Sequence, residues 1–360
     1  MKIVQVITRS DTIGGAQKYV LDVSKGLKKD SHNITIISGS SGVFKEKACN
    51  EGIDFYGIDS LKRELSFFDD LKTLMILFGF LLKKRPDIVS LHSIKAGLLG
   101  RLACSLTPST VYFTAHGWSH IRQSKGYKRK LYLQIERYLS KLCRKVICVS
   151  KNDMAFAEQV IGIKKDRLCL IQNGVKEIKN KKRALGTVKL VSIVRFQAPK
   201  DFDTLLDSLY QIKDKAWELD ILGDGTDIAK VRQKINHLGL ANKVRLLGFK
   251  ESVDEYYQNA DAVVLISHSE GLPMSLLEGM SCSKLLIASD VGGIDELIIP
   301  EWNGFLIPRD DSHYLSMCIT AIINSPEIIE QYGANSKLHF DSTYSFEKMY
   351  YKLLDLYKEE

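Results

Sequence analysis

The sequence predicts an α/β fold of two doubly wound parallel-sheet domains, and three observations support this prediction. Short runs rich in β-branched residues alternate with segments whose apolar residues recur at helical spacing. These runs are apolar on both faces, which is typical of parallel strands covered by helices on two sides. With 360 residues, the chain also exceeds what one hydrophobic core usually organises. We therefore expect two domains, each with alternating strands and helices.

The first half contains seven predicted strands. They lie at residues 3–7, 34–38, 55–58, 88–91, 111–114, 146–149 and 168–171. Helical spacing occurs between them at two sets of apolar residues, namely Ala16, Tyr19, Val20, Val23 and Leu27, and Leu131, Ile135, Tyr138, Leu139 and Leu142. The repeated β-α-β pattern predicts a doubly wound sheet.

A lysine-rich stretch without periodicity separates the two halves. We predict a first domain at residues 1–178, a linker at 179–186 and a second domain at 187–344. Strands of the second domain are expected at 190–194, 219–222, 244–247, 262–266 and 285–288. The remaining segment, 345–360, is helical in pattern and precedes no strand, so we expect it to pack back on the first domain.

Charge is distributed unevenly between the halves. Residues 1–180 carry 31 Lys and Arg against 16 Asp and Glu, whereas residues 181–360 carry 20 against 27. Residues 120–152 hold ten basic side chains and one acid. We expect this segment to approach anionic lipid headgroups or an anionic acceptor. The candidate contacts are Arg122, Lys125, Lys128, Arg129, Lys130 and Arg137.

No segment has the pattern of a membrane span. The longest apolar run, 74–82, is too short to cross a bilayer, and the opening residues 2–7 have the pattern of a strand rather than of a signal peptide. We therefore expect a cytoplasmic protein.

Ligands of doubly wound sheets bind at the carboxyl ends of the strands, so residues that directly follow strands are the candidates. In the first half, Gly14-Gly15 opens a helix after the first strand and leaves backbone N–H groups for a phosphate or sugar oxygen. His116 follows the fifth strand beside Gly117, where its imidazole could donate to a sugar hydroxyl or to developing charge.

In the second half, Arg195 and Lys200 follow the first strand. Two cations in such a place can neutralise a diphosphate, the guanidinium by bidentate geometry and the ammonium as a point charge. Gly223 and Gly225 follow the next strand and permit close approach of a ligand to the backbone.

The segment from Glu270 to Glu278 carries the strongest signal. A strand is followed by Gly271-Leu272-Pro273-Met274 and a helix, which places two carboxylates and several backbone N–H groups near one site. Carboxylates accept hydrogen bonds from sugar hydroxyls, and helix N-termini favour phosphate.

The segment Asp201-Phe-Asp203 matches the Asp-x-Asp pattern of metal-dependent sugar transferases. It begins a predicted helix directly after Lys200, where aspartate acts as a cap. We therefore expect no metal and no other cofactor.

In order and spacing, these motifs resemble glycosyltransferase family 4, whose members are retaining enzymes with the GT-B fold of two facing Rossmann-like domains and a cleft between them. The motifs that carry the resemblance are Gly14-Gly15, Thr114-Ala-His-Gly117, Asn173-Gly174-Val175, Arg195 with Lys200, Gly223-Asp-Gly225, Glu270 with Glu278, and Asp290-Val-Gly-Gly293 with Glu296. Gln17 departs from the pattern, because relatives often carry an acid at that place.

The resemblance implies roles for the donor site. Arg195 and Lys200 would hold the diphosphate of a nucleotide sugar, and Glu278 would accept from the ribose hydroxyls. Glu270 would contact the transferred sugar, and the backbone around Phe249 would lie near the base. The backbone from Gly271 to Met274, through Leu272 and Pro273, would lie near the sugar and phosphates, and His116 beside the reacting sugar.

The resemblance further implies a hexosyltransferase that uses a UDP-sugar and a lipid-linked glycan acceptor in bacterial capsule, exopolysaccharide or lipopolysaccharide synthesis. Such an enzyme would work at the inner face of the cytoplasmic membrane, without nucleic acid. Three alternatives remain open at this point: a UDP-sugar 2-epimerase of the same fold, a glycoside hydrolase that uses Glu270 and Glu278 as its acid pair, and a non-catalytic protein that binds membranes or nucleic acids through the basic half.

Overall fold

The computed structural model describes residues 1–181 and 186–359. Contacts divide the chain into two compact units, one of Met1–Gln172 with Tyr350–Glu360 and one of Asn173–Met349. Part of the expected linker, residues 182–185, lies outside the described residues.

The first unit is built on a seven-stranded parallel sheet with the order β3-β2-β1-β4-β5-β6-β7. Its strands are β1 (Lys2–Ile7), β2 (Asn33–Ser38), β3 (Asp54–Gly57), β4 (Ile88–His92), β5 (Thr110–Ala115), β6 (Lys145–Cys148) and β7 (Leu168–Leu170). Its helices are α1 (Gly15–Lys29), α2 (Val43–Asn50), α3 (Phe67–Lys84), α4 (Ile94–Cys104), α5 (Ser119–Arg122), α6 (Gly126–Leu139) and α7 (Lys151–Phe156).

The second unit has a six-stranded parallel sheet with the order β10-β9-β8-β11-β12-β13. Its strands are β8 (Val188–Ile193), β9 (Trp217–Leu222), β10 (Val244–Gly248), β11 (Ala262–Leu265), β12 (Leu285–Ser289) and β13 (Gly304–Ile307). Its helices are α8 (Phe202–Gln211), α9 (Ile228–His237), α10 (Asp254–Asn259), α11 (Met274–Ser281), α12 (Ser312–Asn324) and α13 (Glu327–Thr343).

The predicted pair of doubly wound parallel sheets is confirmed. Strand order reverses beside β1 in the first sheet and beside β8 in the second, as in dinucleotide-binding folds. In each unit, buried aliphatic side chains of the strands pack against the helices on both faces. The edge strand β13 was not among the predicted strands, since Gly304–Ile307 is short and begins with glycine.

The last helix, α14 (Phe346–Lys358), begins in the second unit, and its residues from Tyr350 onward belong to the first. The Tyr350 hydroxyl donates to Asp30 Oδ2 at 2.6 Å, beside the end of α1. The longer segment of the first unit ends at Gln172, six residues before the expected boundary at 178, because Val175 forms a parallel bridge with Ser345 of the second unit.

Candidate active site

Four neighbouring strands of the second sheet end in loops that hydrogen-bond to one another. The order β9-β8-β11-β12 places these loops side by side at the carboxyl edge. Phe196 N–H donates to Asp224 O at 2.9 Å, His268 N–H to Pro199 O at 2.9 Å, and Gly293 N–H to Gly271 O at 3.0 Å. The predicted donor-site residues of this unit therefore lie on one connected edge.

Lys200 and Glu270 form an ion pair on this edge. The Lys200 ammonium donates to Glu270 Oε1, and both side chains are largely buried. An ammonium has three donors, so Lys200 can keep this bond and also donate to a phosphate oxygen. The sequence placed the two residues at one site, and the structure adds that each orients the other.

Two glycines permit the close approach of these loops. Gly223 has φ +132°, and a Cβ there would overlap the carbonyl oxygen of Val194. Gly292 has φ +63°, and a Cβ there would overlap the carbonyl oxygen of Glu270. The loop after β12 thus supports the backbone that carries Glu270.

We expect Gly292→Ala to reduce transfer activity strongly and to lower the melting temperature, because the added methyl group displaces the Glu270 backbone. Gly239→Ala is the matched control. Gly239 has φ +68°, and no atom lies within 4 Å of its Cβ position. The Gly239→Ala substitution therefore measures the cost of backbone strain alone, about 1 kcal/mol. Equal effects of the two substitutions on melting temperature and activity would refute the supporting role of Gly292.

Arg195 and Phe249 lie on the same edge. Arg195 follows β8 and is half-buried, while Phe249 follows β10 and is 44% exposed. Gly223 N–H donates to Gly248 O at 2.9 Å, which joins the loops after β9 and β10. The edge therefore extends from β10 to β12.

Helix α11 carries Glu278 and begins directly after Pro273. Asn173 Nδ2 donates to Leu272 O at 2.9 Å, so the Asn173-Gly174-Val175 motif holds the loop in front of this helix. Glu278 is buried, and its Oε2 lies 2.9 Å from the hydroxyl of Tyr257 on α10. Burial, reinforced by the charge of Glu278, raises the pKa of Tyr257 well above its usual value, so the hydroxyl stays protonated.

We expect Tyr257→Phe to weaken donor binding by roughly 10- to 150-fold, since a hydrogen bond to a charged group is worth about 1.5–3 kcal/mol. Isothermal titration with UDP would measure the change. Tyr332→Phe, another buried tyrosine of the second unit, is the control and should bind as the wild type does. Unaltered affinity in Tyr257→Phe would show that the hydroxyl does not orient Glu278.

Asp201 caps helix α8, as the sequence predicted: its Oδ1 accepts from Thr204 N–H at 3.0 Å. Within the described residues, Asp201, His268 and Asp310 are the one set of three side chains spaced like metal ligands. His268 Nε2 lies 3.8 Å from Asp201 Oδ2, and its Nδ1 lies 3.6 Å from Asp310 Oδ1. Asp201 thus uses Oδ1 for the cap, and its Oδ2 faces His268.

In the first unit, Gly14 precedes α1 and Gly15 is its first residue. The sequence analysis expected free N–H groups at this pair, but that of Gly14 donates to Gln17 Oε1 at 3.2 Å. Gln17 Nε2 in turn donates to Arg9 O at 3.3 Å. Gln17 therefore orders the loop after β1, a role that an acid could not fill with the same two bonds.

His116, directly after β5, is half-buried and belongs to a row of polar side chains with the buried His92 and Gln5. His116 Nε2 lies 3.1 Å from His92 Nδ1, and His92 Nε2 lies 2.7 Å from Gln5 Oε1. Tyr19 packs edge-on against His116, with ring centroids 5.1 Å apart. Three elements, β1, β4 and β5, thus determine the orientation of this imidazole.

Burial lowers the pKa of His116 and that of His120 from 6.5 to about 4. Between pH 6.5 and about 4, the unfolded chain binds more protons at these two histidines than the folded chain does. The free energy of unfolding therefore falls as the pH falls. We expect the melting temperature to decrease on acidification from pH 6.5 to about 4. The His120→Gln variant should show a smaller decrease, and an identical pH profile would refute the assignment.

The basic segment is only partly available to a partner. Arg122 donates to Asn152 Oδ1 at 2.7 Å and pairs with Asp153, and Arg137 Nε donates to Ile161 O at 2.8 Å. Arg137 is nevertheless exposed, and so are the four predicted contacts near the start of α6, namely Lys125, Lys128, Arg129 and Lys130. Of the six cations expected at this surface, Arg122 alone is half-buried.

Sequence reasoning missed Tyr257, His92 and Gln5. Gln5 is a polar residue inside a strand that is otherwise apolar, and this irregularity could have marked it. His92 ends β4, where the strand-end rule applied to His116 would also have found it. Tyr257 lies in a helix of ordinary composition and gives no such signal.

Two doubly wound sheets, with an ammonium, a guanidinium and two carboxylates along one carboxyl edge, are characteristic of glycosyltransferases with the GT-B fold. A family model described as Glycosyltransferase Family 4 matches residues 13–177, and one described as Glycosyl transferases group 1 matches residues 174–339. The O-antigen biosynthesis glycosyltransferase WbnH of Escherichia coli is 31% identical over 316 residues, 87% of this chain and 89% of the relative. The chain belongs to glycosyltransferase family 4, and it is a hexosyltransferase.

More distant relatives share the whole length of the chain. A UDP-Gal:alpha-D-GlcNAc-diphosphoundecaprenol alpha-1,3-galactosyltransferase of E. coli is 23% identical over 368 residues, 96% of this chain and 94% of the relative. The crystal structure of HepE from Anabaena, in complex with UDP and glucose, has a TM-score of 0.86 at 19% identity and covers 100% of both chains. Sucrose-phosphate synthase from Thermosynechococcus elongatus has a TM-score of 0.87 at 18% identity, with 100% of this chain and 99% of that chain covered. The predicted GT-B fold is confirmed, and the relatives place the chain among bacterial polysaccharide glycosyltransferases.

Proposed function

We propose that this protein transfers a hexose or N-acetylhexosamine from a UDP-sugar to a lipid-linked glycan, with retention of the anomeric configuration. The product would be part of a bacterial capsule, exopolysaccharide or lipopolysaccharide. The observation that carries the proposal is the Lys200–Glu270 pair on the same edge as Arg195 and Glu278. This edge combines cations for a diphosphate with carboxylates for sugar hydroxyls.

The chemistry requires stabilisation of a leaving diphosphate. The bond between the anomeric carbon and the diphosphate oxygen breaks, and its electron pair stays with the diphosphate. Arg195 and Lys200 would stabilise that charge, which preorganised donors do most effectively in a site of low polarity. The acceptor oxygen bonds to the anomeric carbon on the same face, and its proton passes to the leaving phosphate oxygen. No metal takes part in this scheme.

The acid and imidazole groups would position the sugars. Glu270 would accept from a hydroxyl of the transferred sugar, and Glu278 from the ribose. His116 would form a hydrogen bond with a sugar hydroxyl. Because Lys200 holds Glu270 in place, the diphosphate and the sugar would be recognised together.

The nature of the donor and acceptor is supported by relatives. The galactosyltransferase relative is named for a UDP-Gal donor and an acceptor on diphosphoundecaprenol, and HepE was crystallised with UDP and glucose. We propose the same classes of ligand here. An acceptor in a lipid bilayer requires the enzyme to work at the membrane surface, and the exposed cations near the start of α6 favour such a location.

The test is a panel of UDP- and GDP-sugars with the purified protein. Binding is detected as a rise in melting temperature, and transfer to a diphosphoundecaprenol-linked GlcNAc acceptor by mass spectrometry. We expect a UDP-sugar to stabilise the protein and to yield an elongated lipid-linked product. Proton NMR should show the donor's anomeric configuration in the new linkage.

Three outcomes would contradict the proposal. Formation of a C2 epimer from UDP-GlcNAc without acceptor would indicate an epimerase. An inverted linkage would exclude retention. Binding of vesicles or RNA with no turnover across the whole panel would indicate a non-catalytic protein.

A further inference from the structure

The outward face of α3 is apolar along its length. Phe68 and Met75 are 82% and 63% exposed, and Leu71 and Leu82 are also exposed. The exposed residues at positions 68, 71, 75 and 82 lie on one side of the helix and form a stripe, which we call the α3 stripe, whereas Phe78 is half-buried against the core. The helix buries the opposite side, with Thr73, Leu77 and Leu81. An apolar stripe of this size facing outward marks an interaction surface.

The topology places α3 in a layer with α4 and α6. From β3 the chain crosses through α3 to β4, through α4 to β5 and through α6 to β6, always in the same direction across the sheet. Right-handed crossovers then put all three helices on one face. Helix α1 lies on the other face, where Tyr350 of α14 packs against Gly26.

Two ion pairs hold this layer together. Lys95 of α4 donates to Asp70 Oδ1 of α3 at 2.6 Å, and Arg101 of α4 donates to Glu136 Oε2 of α6 at 2.9 Å. Glu136 is therefore committed to a buried partner, and residues 119–135 contain no acid. The layer thus presents the α3 stripe on one side of α4 and exposed cations of α6 on the other.

We propose that the α3 stripe inserts into the boundary between headgroups and acyl chains of an anionic bilayer, while Lys125, Lys128, Arg129 and Lys130 contact the headgroups. Charge complementarity selects this occupant, because an apolar helix face and exposed cations within one layer of helices fit an anionic lipid surface. No helix among residues 1–181 and 186–359 is long and apolar enough to cross a membrane, so α3 would lie in the interface plane. The basic segment was expected from the sequence to contact the membrane, and α3 adds a second contact surface.

This proposal extends the proposed function, whose lipid-linked acceptor would lie in the same bilayer, but its test needs no turnover. The purified full chain is floated with vesicles of phosphatidylcholine alone or mixed with phosphatidylglycerol. The wild type should bind the mixed vesicles, and raised salt should weaken this binding without abolishing it. The F68S/M75S variant should bind at least about tenfold more weakly. Lys128→Gln combined with Lys130→Gln should lose the preference for phosphatidylglycerol.

Leu338→Ser is the matched control, because Leu338 is 63% exposed on α13 of the second unit, as Met75 is on α3. It should float as the wild type does. The depth of insertion is measured by tryptophan fluorescence with vesicles that contain brominated acyl chains. These chains should quench the fluorescence of the tryptophan in Phe68→Trp but not that of the tryptophan introduced in Leu338→Trp. A UDP-induced rise in melting temperature, equal in F68S/M75S and wild type, shows that the variant is folded.

Unchanged flotation of F68S/M75S, or absence of quenching in Phe68→Trp, would overturn the proposal. So would a wild-type dimer in sedimentation velocity that F68S/M75S converts to a monomer, because a second copy would then cover the stripe. Vesicle binding by a protein that binds no nucleotide sugar would refute the proposed function and leave this inference intact.

Discussion

Replacing Lys200 by alanine is expected to reduce kcat/KM for the sugar donor by roughly 100- to 1,000-fold, the loss typical of one preorganised donor to developing charge, about 3–4 kcal/mol. In the proposed function the substitution would remove a cation from the leaving diphosphate, and it also leaves Glu270 without its ion-pair partner. Both effects act on the transition state, so kcat should fall more than KM rises. Steady-state kinetics with a UDP-sugar would measure the two constants.

The Glu270→Gln variant separates the two roles of Lys200. Glutamine keeps the shape and an acceptor oxygen but removes the charge, so UDP should still raise the melting temperature while transfer falls. If the ion pair orients both groups, the fold-loss of transfer activity in the K200A/E270Q variant should be smaller than the product of the fold-losses in the two single variants. Lys230→Ala, an exposed lysine on α9, is the control and should retain full activity. Multiplicative losses in the double variant would show that the two residues act independently.

The strand pattern of the sequence identified the edge of the sheet on which Lys200 and Glu270 lie. A residue that directly follows a parallel strand must lie at the carboxyl edge of the sheet. The direct pairing of their side chains depends on loop conformation, and Gly292 contributes to that conformation from a strand farther along. Sequence spacing carries no information on such contacts. For the same reason the partnership of Glu278 with Tyr257 became visible only in the structure.

The apolar run 74–82 illustrates a different limit. The run is too short for a membrane span, and α3 in the structure is not long and apolar enough to cross a membrane. The length of the run could not show which side of α3 packs against the rest of the first unit. The whole run is apolar, so its periodicity does not distinguish the buried side from the exposed one. Exposure of Phe68 and Met75 follows from how α3 packs on the sheet and on α4.

We expect the tautomer of His116 to depend on Gln5. The two residues do not bond directly but through His92, which lies between them. With the Gln5 amide oriented as in the structure, its oxygen can only accept, so the proton of neutral His92 lies on Nε2. His92 Nδ1 is then an acceptor, and the proton of His116 lies on Nε2. Burial lowers the pKa of His92 well below its usual value, so this ring stays neutral. His116 Nδ1 is left as an acceptor, suited to a sugar hydroxyl.

Replacing Gln5 by leucine removes the acceptor that selects this tautomer. We expect kcat to fall by roughly 10- to 100-fold, the range found when partners that orient metal-bound histidines are removed. In ¹⁵N-histidine NMR, wild-type His116 should show the Nε2–H tautomer, and Gln5→Leu a mixture of both. Gln5→Glu keeps an acceptor and should keep the tautomer. A wild-type spectrum with the proton on Nδ1, or a Gln5→Leu spectrum identical to wild type, would refute the relay, because a purely structural role for Gln5 changes stability but not the position of a proton on His116.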